Sequence, residues 1–173
     1  ETLLGRVDAE LAHDEVTELH TTNLDVDRIN EQRLRQLDGE PKVYESHTTG
    51  KENYVANLKR SCIAPEKLVL KTGALVMAIK NSPERKYVNG SLGKVTGFEQ
   101  FTDYPVVEFY NGKTVTMKPD TWELRDGDKK RASLSQIPLR LAYAITVHKS
   151  QGMTLDAARI DLRRAFVEGM GYV

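Results

Sequence analysis

From Thr146 to Gly152 the chain reads Thr-Val-His-Lys-Ser-Gln-Gly, and six of these seven positions carry a hydrogen-bonding side chain or a freed backbone. Lys149 supplies a cation, His148 a titratable ring, Thr146 and Ser150 hydroxyls, and Gln151 an amide. Such groups, crowded together, are suited to holding phosphate oxygens, and a glycine lets main chain come close to a ligand. The residues just before them are apolar and alternate: Leu139, Leu141 and Tyr143 on one side, Arg140 and Ala142 on the other. That period of two predicts a strand. A buried strand ending in a polar cluster is how an open α/β sheet sets binding groups in its crevice.

Other elements must position this one. Residues 1–12 place Leu3, Leu4, Val7 and Leu11 on one helical face. Val16 to Thr22 reads as a short strand ending in Thr21-Thr22-Asn23. Asn23 or Asp25 can cap a following helix with core positions Val26, Ile29, Leu34 and Leu37, stopped by Gly39. Strand, polar corner and capped helix make half of a βαβ unit, again with polar groups at the strand's tip. Residues 40–53 are polar and predict an exposed loop. Tyr54 to Ile63 predicts a short helix closed by Pro65.

From Leu68 to Leu124 only strand and turn signals occur. Ala74–Ile79 is apolar, Leu92–Phe98 is bounded by glycines, and Asn111-Gly112 joins Tyr104–Tyr110 to Lys113–Met117 as a hairpin. Trp122 to Leu124 adds a last short strand. These strands predict a small SH3-like or OB-like barrel, with Phe98 and Trp122 in its core. Ser133–Ala142 is then expected to return to the main sheet, Ala158–Leu162 to follow as its next strand, and Arg163–Glu168 to start a helix ending at Gly169.

At 173 residues the chain suits one domain, or one domain with a small insertion. Lys and Arg total 25, as do Asp and Glu, so net charge argues neither for nor against nucleic acid. Arg140, His148, Lys149, Arg159, Arg163 and Arg164 gather in the last third, opposed by Asp156, Asp161 and Glu168. The single cysteine, Cys62, excludes an internal disulfide and fits a reducing compartment. No apolar run approaches the ~20 residues that span a bilayer, so no membrane partner is expected and a bacterial cytoplasm is the expected location.

The string from Leu139 to Asp156 resembles motif V of superfamily 1B DNA helicases, the RecD-like and Pif-type enzymes. Leu19 to Asn30 resembles their motif IV segment, and Leu68–Asn81 with Val88–Gly97 looks like the opening of the SH3-like domain that these enzymes insert into their second RecA-like lobe. The resemblance thus implies a RecA-like P-loop-type lobe without its own P-loop, formed by residues 1–67 and 135–173. A small SH3-like β-barrel, residues 68–134, would interrupt it.

The rest of the ATP machinery has no counterpart in this sequence. Gly112-Lys113-Thr114 mimics the end of a Walker A motif, but the earlier glycine it needs would fall at Val107. Asp14-Glu15 lacks the apolar strand of a Walker B pair. Lys71-Thr72-Gly73 and Ser91-x-x-Lys94 echo β-lactamase motifs in the wrong order, and no Cys/His spacing suggests zinc. In the family, motif VI and its arginine come next, whereas this chain ends at Tyr172-Val173. A C-terminal piece of a larger helicase is therefore expected, itself inactive.

The roles that the resemblance implies are binding roles. Thr146, His148, Lys149 and Ser150 would grip single-stranded DNA phosphates, with Thr21, Thr22 and Asn23 lining the path. Gln151 and Gly152 would face the nucleotide between lobes, with ATP and magnesium held mainly by the N-terminal RecA-like lobe of the same chain. The barrel would either extend the DNA path through Tyr87, Asn89 and Lys94 or act as a spacer. The competing expectation is a degenerate lobe serving as a non-catalytic nucleic-acid or protein adaptor.

Overall fold

A computed structural model describes residues 17–146. The elements are β1 (Glu18–His20), α1 (Asn23–Arg35), β2 (Lys42–Glu45), β3 (His47–Gly50), α2 (Glu52–Ser61), β4 (Lys67–Leu70), β5 (Leu75–Ala78) and β6 (Leu92–Phe98). They continue with β7 (Pro105–Phe109), β8 (Thr114–Thr116), β9 (Asp120–Asp126), β10 (Lys129–Gln136), β11 (Leu139–Leu141) and β12 (Ala144–Thr146). The architecture is mixed α/β with strands in the majority.

The unbroken apolar run at β5 has a simple cause. Strands covered on one face alternate, whereas strands covered on both do not. Val76 and Ala78 belong to a core with Leu70, Val107, Phe109 and Leu139. Leu75 and Met77 belong to a second core with Leu58, Leu134, Tyr143 and Ile145. All four β5 residues are at most 2% exposed. Around this strand runs a five-stranded sheet in the order β11-β5-β6-β7-β8, and β3-β10-β9 forms a three-stranded sheet. β2 pairs with β4, and β1 with β12. Every described pairing is antiparallel except β1 with β12.

The Asn111-Gly112 hairpin forms as expected, bringing Val106 opposite Thr116, with Gly112 at φ +89°. Other expectations are corrected. The five-stranded order ends at β11 and β8, so no closed barrel forms among the described residues. Residues 40–53 are not a loop. β2 aligns Tyr44 with Leu68, and the wholly exposed β3 pairs with β10. A polar edge strand carries no periodic signal of its own, because its partner's ladder supplies the order. Ser133–Ala142 does not return to a main sheet either. Its first residues lie in β10, and Leu139–Leu141 pairs with β5.

The predicted strand through Tyr143 is in fact two strands in two sheets, with a bend at Tyr143. The bend is pinned to β5, since Ala142 N–H donates to Leu75 O at 2.9 Å and Leu75 N–H donates to the Tyr143 hydroxyl at 3.2 Å. Gln136 secures the preceding stretch. Its Nε2 donates to Tyr44 O and Pro65 O at 2.9 and 3.0 Å, while its Oε1 accepts from Ile137 N–H at 2.8 Å. The readings at 1–12, Ala158–Leu162 and Arg163–Glu168 lie outside the described residues.

Two glycines of β6 make a matched test of this packing. A Cβ on Gly93 would stand 2.7 Å from Val107 Cγ1 and 2.8 Å from Glu108 O, whereas one on Gly97 would meet nothing within 4 Å. Gly93→Ala is expected to lower stability by about 1–3 kcal/mol through overpacking. Gly97→Ala should change it by less than about 0.5 kcal/mol. Urea unfolding of both variants measures the difference.

Candidate nucleic-acid interface

Parallel pairing fixes where the polar segments emerge. β1 and β12 run in register with His20 opposite Thr146. Parallel strands reach their C-terminal ends on the same side of the sheet, so Thr21-Thr22-Asn23 leaves β1 beside Thr146, the last residue of β12. Thr21, Thr22 and Asn23 are exposed there, next to Leu24 at 78%.

The helix α1 begins at this corner because Thr22 caps it. Thr22 is extended, at φ −118° and ψ 144°, and its Oγ1 accepts from Asp25 N–H at 3.2 Å. The cap is therefore Thr22, not Asn23 or Asp25: Asn23 is already helical, and Asp25 sits within the first turn. There the carboxylate accepts from the Thr22 hydroxyl at 2.8 Å and lies 3.5 Å from Arg28. The Thr22 hydrogen bond, aided by Arg28, holds the Asp25 carboxyl below its usual pKa. Its contribution to stability is complete above the ordinary carboxylate pKa and fades as pH falls through the lowered value.

Behind the edge, Asn30 is buried at 7% and holds β12 from the helix side. Its Nδ2 donates to Ala144 O and its Oδ1 accepts from Ala144 N–H, both at 3.0 Å. Arg33, one turn on, lies 4.6 Å over the Tyr143 ring. On β1, Glu18 and His20 approach to 3.1 Å with their side chains 17% and 11% exposed. Sequence reasoning missed Glu18, His20 and Asn30. A signal for Asn30 existed, because it interrupts the apolar face at the helical interval between Val26 and Leu34.

Of the residues expected to bind, Thr146 is buried at 4%, at the end of β12. His148, Lys149, Ser150, Gln151 and Gly152 lie outside the described residues. Tyr87 is buried and stacked on Phe109 at 5.0 Å between ring centroids, so it offers no face to a passing strand. Asn89 and Lys94 are half-buried. Phe98 and Trp122 border the cores rather than fill them, each under a lysine: Lys42 at 6.0 Å and Lys80 at 5.1 Å.

The described residues do not fit a triphosphate cradle. Gly112-Lys113-Thr114 runs from the hairpin turn into β8, with Lys113 Nζ 3.4 Å from Arg85 O, and no helix follows it among the described residues to receive phosphate. A cleft of about 530 Å³ does lie between α1 and β4. Arg140 lines it, donating to Ile63 O at 2.8 Å. Burial lowers the pKa of that guanidinium, and Asp27 opposes the shift. No helix among the described residues is long and apolar enough to cross a membrane.

Residues 53–98 match the family described as DNA helicase Pif1, 2B domain. The chain is 42% identical over 159 residues to an ATP-dependent DNA helicase PIF1 of Xenopus laevis, covering 91% of this chain and 25% of that relative. It therefore spans about a quarter of that relative's length. A crystal structure of Pif1 helicase from Candida albicans superposes with a TM-score of 0.71 at 35% identity, over 81% of this chain and 37% of that one. Pif1 helicase from Bacteroides in complex with ADP-AlF3 and ssDNA superposes with a TM-score of 0.64 at 28% identity, over 90% and 41%.

The corner generates its own test. Thr22→Ala removes the cap and is expected to destabilise the chain by about 1 kcal/mol. Asn23→Ala, whose side chain does not cap the helix, should change little. Thermal unfolding of the two variants distinguishes them.

Proposed function

We propose that this chain, which is similar to Pif1 helicases over 91% of its own length and spans about a quarter of one such relative, is part of the second motor lobe of an ATP-dependent 5′→3′ DNA helicase. Its work there is to grip single-stranded DNA. The observation that carries the reading is the parallel β1–β12 pair, which brings the exposed Thr21-Thr22-Asn23 corner beside Thr146, the first residue of the motif read as the grip. The similarity to a relative whose structure holds ssDNA supports the choice of ligand.

In this reading Lys149 supplies the salt-dependent attraction to phosphate, while His148, Ser150 and the exposed Thr21, Thr22 and Asn23 fix register on the backbone. Thr146 anchors the root of the gripping run at the end of β12. Such contacts read no bases, which suits a protein that must move along any sequence. Gln151 and Gly152 face the nucleotide, and ATP with magnesium is held mainly by the other RecA-like lobe, since the described residues build no phosphate cradle.

In this reading the RecA-like part includes β1, α1 and β12. The SH3-like insertion occupies residues 68–134 at least. Pairing of β2 with β4, of β3 with β10 and of β11 with β5 favours an insertion reaching from about residue 42 to about 141.

Titrating the chain against a fluorescent oligothymidylate at two salt concentrations tests the grip. Lys149→Ala is expected to weaken binding and reduce the salt slope by about one phosphate contact. Equal affinity and slope in the two proteins would count against the proposal. So would brisk ATP hydrolysis by the chain alone.

A further inference from the structure

Arg140 is a charge that the fold draws out of water without pairing it among the described residues. It stands in the middle of β11, half-buried, and its guanidinium donates to Ile63 O at 2.8 Å. No carboxylate among the described residues comes within ion-pair distance of it. Asp27 acts on it only through space, and burial lowers its pKa against that influence. A guanidinium carries N–H donors along its whole planar fork, and donors left without acceptors away from water are costly. The sealed, partnerless side-chain atoms of the described residues are Thr17 Oγ1, Asn89 Oδ1 and Arg131 Nε. The unbonded nitrogens of Arg140 are therefore open, and they open on the cleft of about 530 Å³ between α1 and β4 that this residue lines. That volume is in the range of small-molecule sites.

Leu34, Pro65, Leu68 and Leu141 give the cleft an apolar lining. Its charged groups come from opposite sides. Asp27, Glu31 and Arg35 follow at intervals of four along α1, while Lys67 and Arg140 come from β4 and β11. None of the five is in an ion pair among the described residues, although both signs are present. Three cations face two carboxylates, so the lining side chains carry one uncompensated positive charge. We propose that the cleft is a binding site for a small organic monoanion, a carboxylate on an apolar body. The carboxylate accepts from the open N–H groups of Arg140, and the body lies on Leu34, Leu68 and Leu141. A carboxylate matches the planar fork with two parallel hydrogen bonds. The acidic wall of α1 limits the charge that can enter. Asp27 and Glu31 repel a second negative group, which turns the site against phosphomonoesters, nucleotides and nucleic acid. The inference is independent of the DNA-binding reading, because no residue assigned to the grip lines the cleft.

Phenylacetate, its neutral analogue phenylacetamide and the dianion phenylmalonate test the site. Each is titrated at neutral pH into the isotope-labelled chain and followed by the chemical shifts of its backbone amides. Phenylacetate is expected to bind on the order of millimolar, as its few atoms permit, with saturating shifts at Leu34, Leu68 and Leu141. Phenylacetamide and phenylmalonate should each bind about tenfold more weakly, the scale of a lost charge-assisted hydrogen bond or a close like charge. Arg140→Gln is expected to bring phenylacetate down to the level of the amide. Arg140→Lys, which keeps the charge and loses the fork, should fall between the two. Asp27→Asn removes part of the acidic wall and is expected to narrow the gap between phenylacetate and phenylmalonate. Equal binding of acid and amide by the parent chain would overturn the proposal, as would shifts that never saturate. So would a folded Arg140→Gln chain that unfolds more readily yet binds phenylacetate as the parent does, since Arg140 would then serve only to hold Ile63. Should Arg140→Gln fail to fold, the comparison of acid with amide on the parent chain decides the matter without a variant.

Discussion

The burial of β5 on both faces is the constraint from which the rest of the molecule follows. A strand with apolar residues at every position cannot lie at a surface, so something must cover each side. Val76 and Ala78 recruit the antiparallel strands that carry Phe109, Val107 and Leu139. Leu75 and Met77 recruit α2, through Leu58, together with Tyr143 and Ile145. The second set ties the antiparallel unit to β12 through Ile145. The hydroxyl of Tyr143 on the main chain of Leu75 makes that tie directional.

Downstream of this anchor the chain solves a problem of edges. β12 is three residues long and would be unstable alone. β1 satisfies one of its edges and a side-chain amide from α1 the other. The polar clamp costs a buried amide, but both of its partners are met, so the desolvation is offset. An apolar residue at position 30 would pack as well and leave two main-chain groups of Ala144 unpaired. Here the demands of hydrogen bonding outweigh those of apolar burial.

The antiparallel unit is held by main-chain ladders and its aromatic groups are mostly spent on packing. Tyr87 stacks on Phe109, and Phe98 and Trp122 sit beneath lysines at the margins of the cores. The corner where β1 ends differs from that unit in what it leaves uncovered. Exposed hydroxyls, an amide and an uncovered Leu24 lie there beside a capped helix terminus, an arrangement suited to a long polyanion with apolar sugars and bases.

Local order was legible in the sequence wherever a single segment decided it. The Asn111-Gly112 turn, the β6 strand from Leu92 to Phe98 and the helix expected over Tyr54–Ile63, found two residues earlier over Glu52–Ser61, needed only short-range periodicity and turn chemistry, and the motif between Leu139 and Asp156 pointed to the family unaided. Tertiary structure decided what depends on a distant partner. It made β3 a strand because β10 lies beside it, split the apolar run at Tyr143 between two sheets, buried Tyr87 and turned Asn30 toward Ala144. Alternation and capping record what each residue prefers among its neighbours in the chain, whereas pairing, and the edge a strand is left with, arise between segments that only the folded molecule brings together.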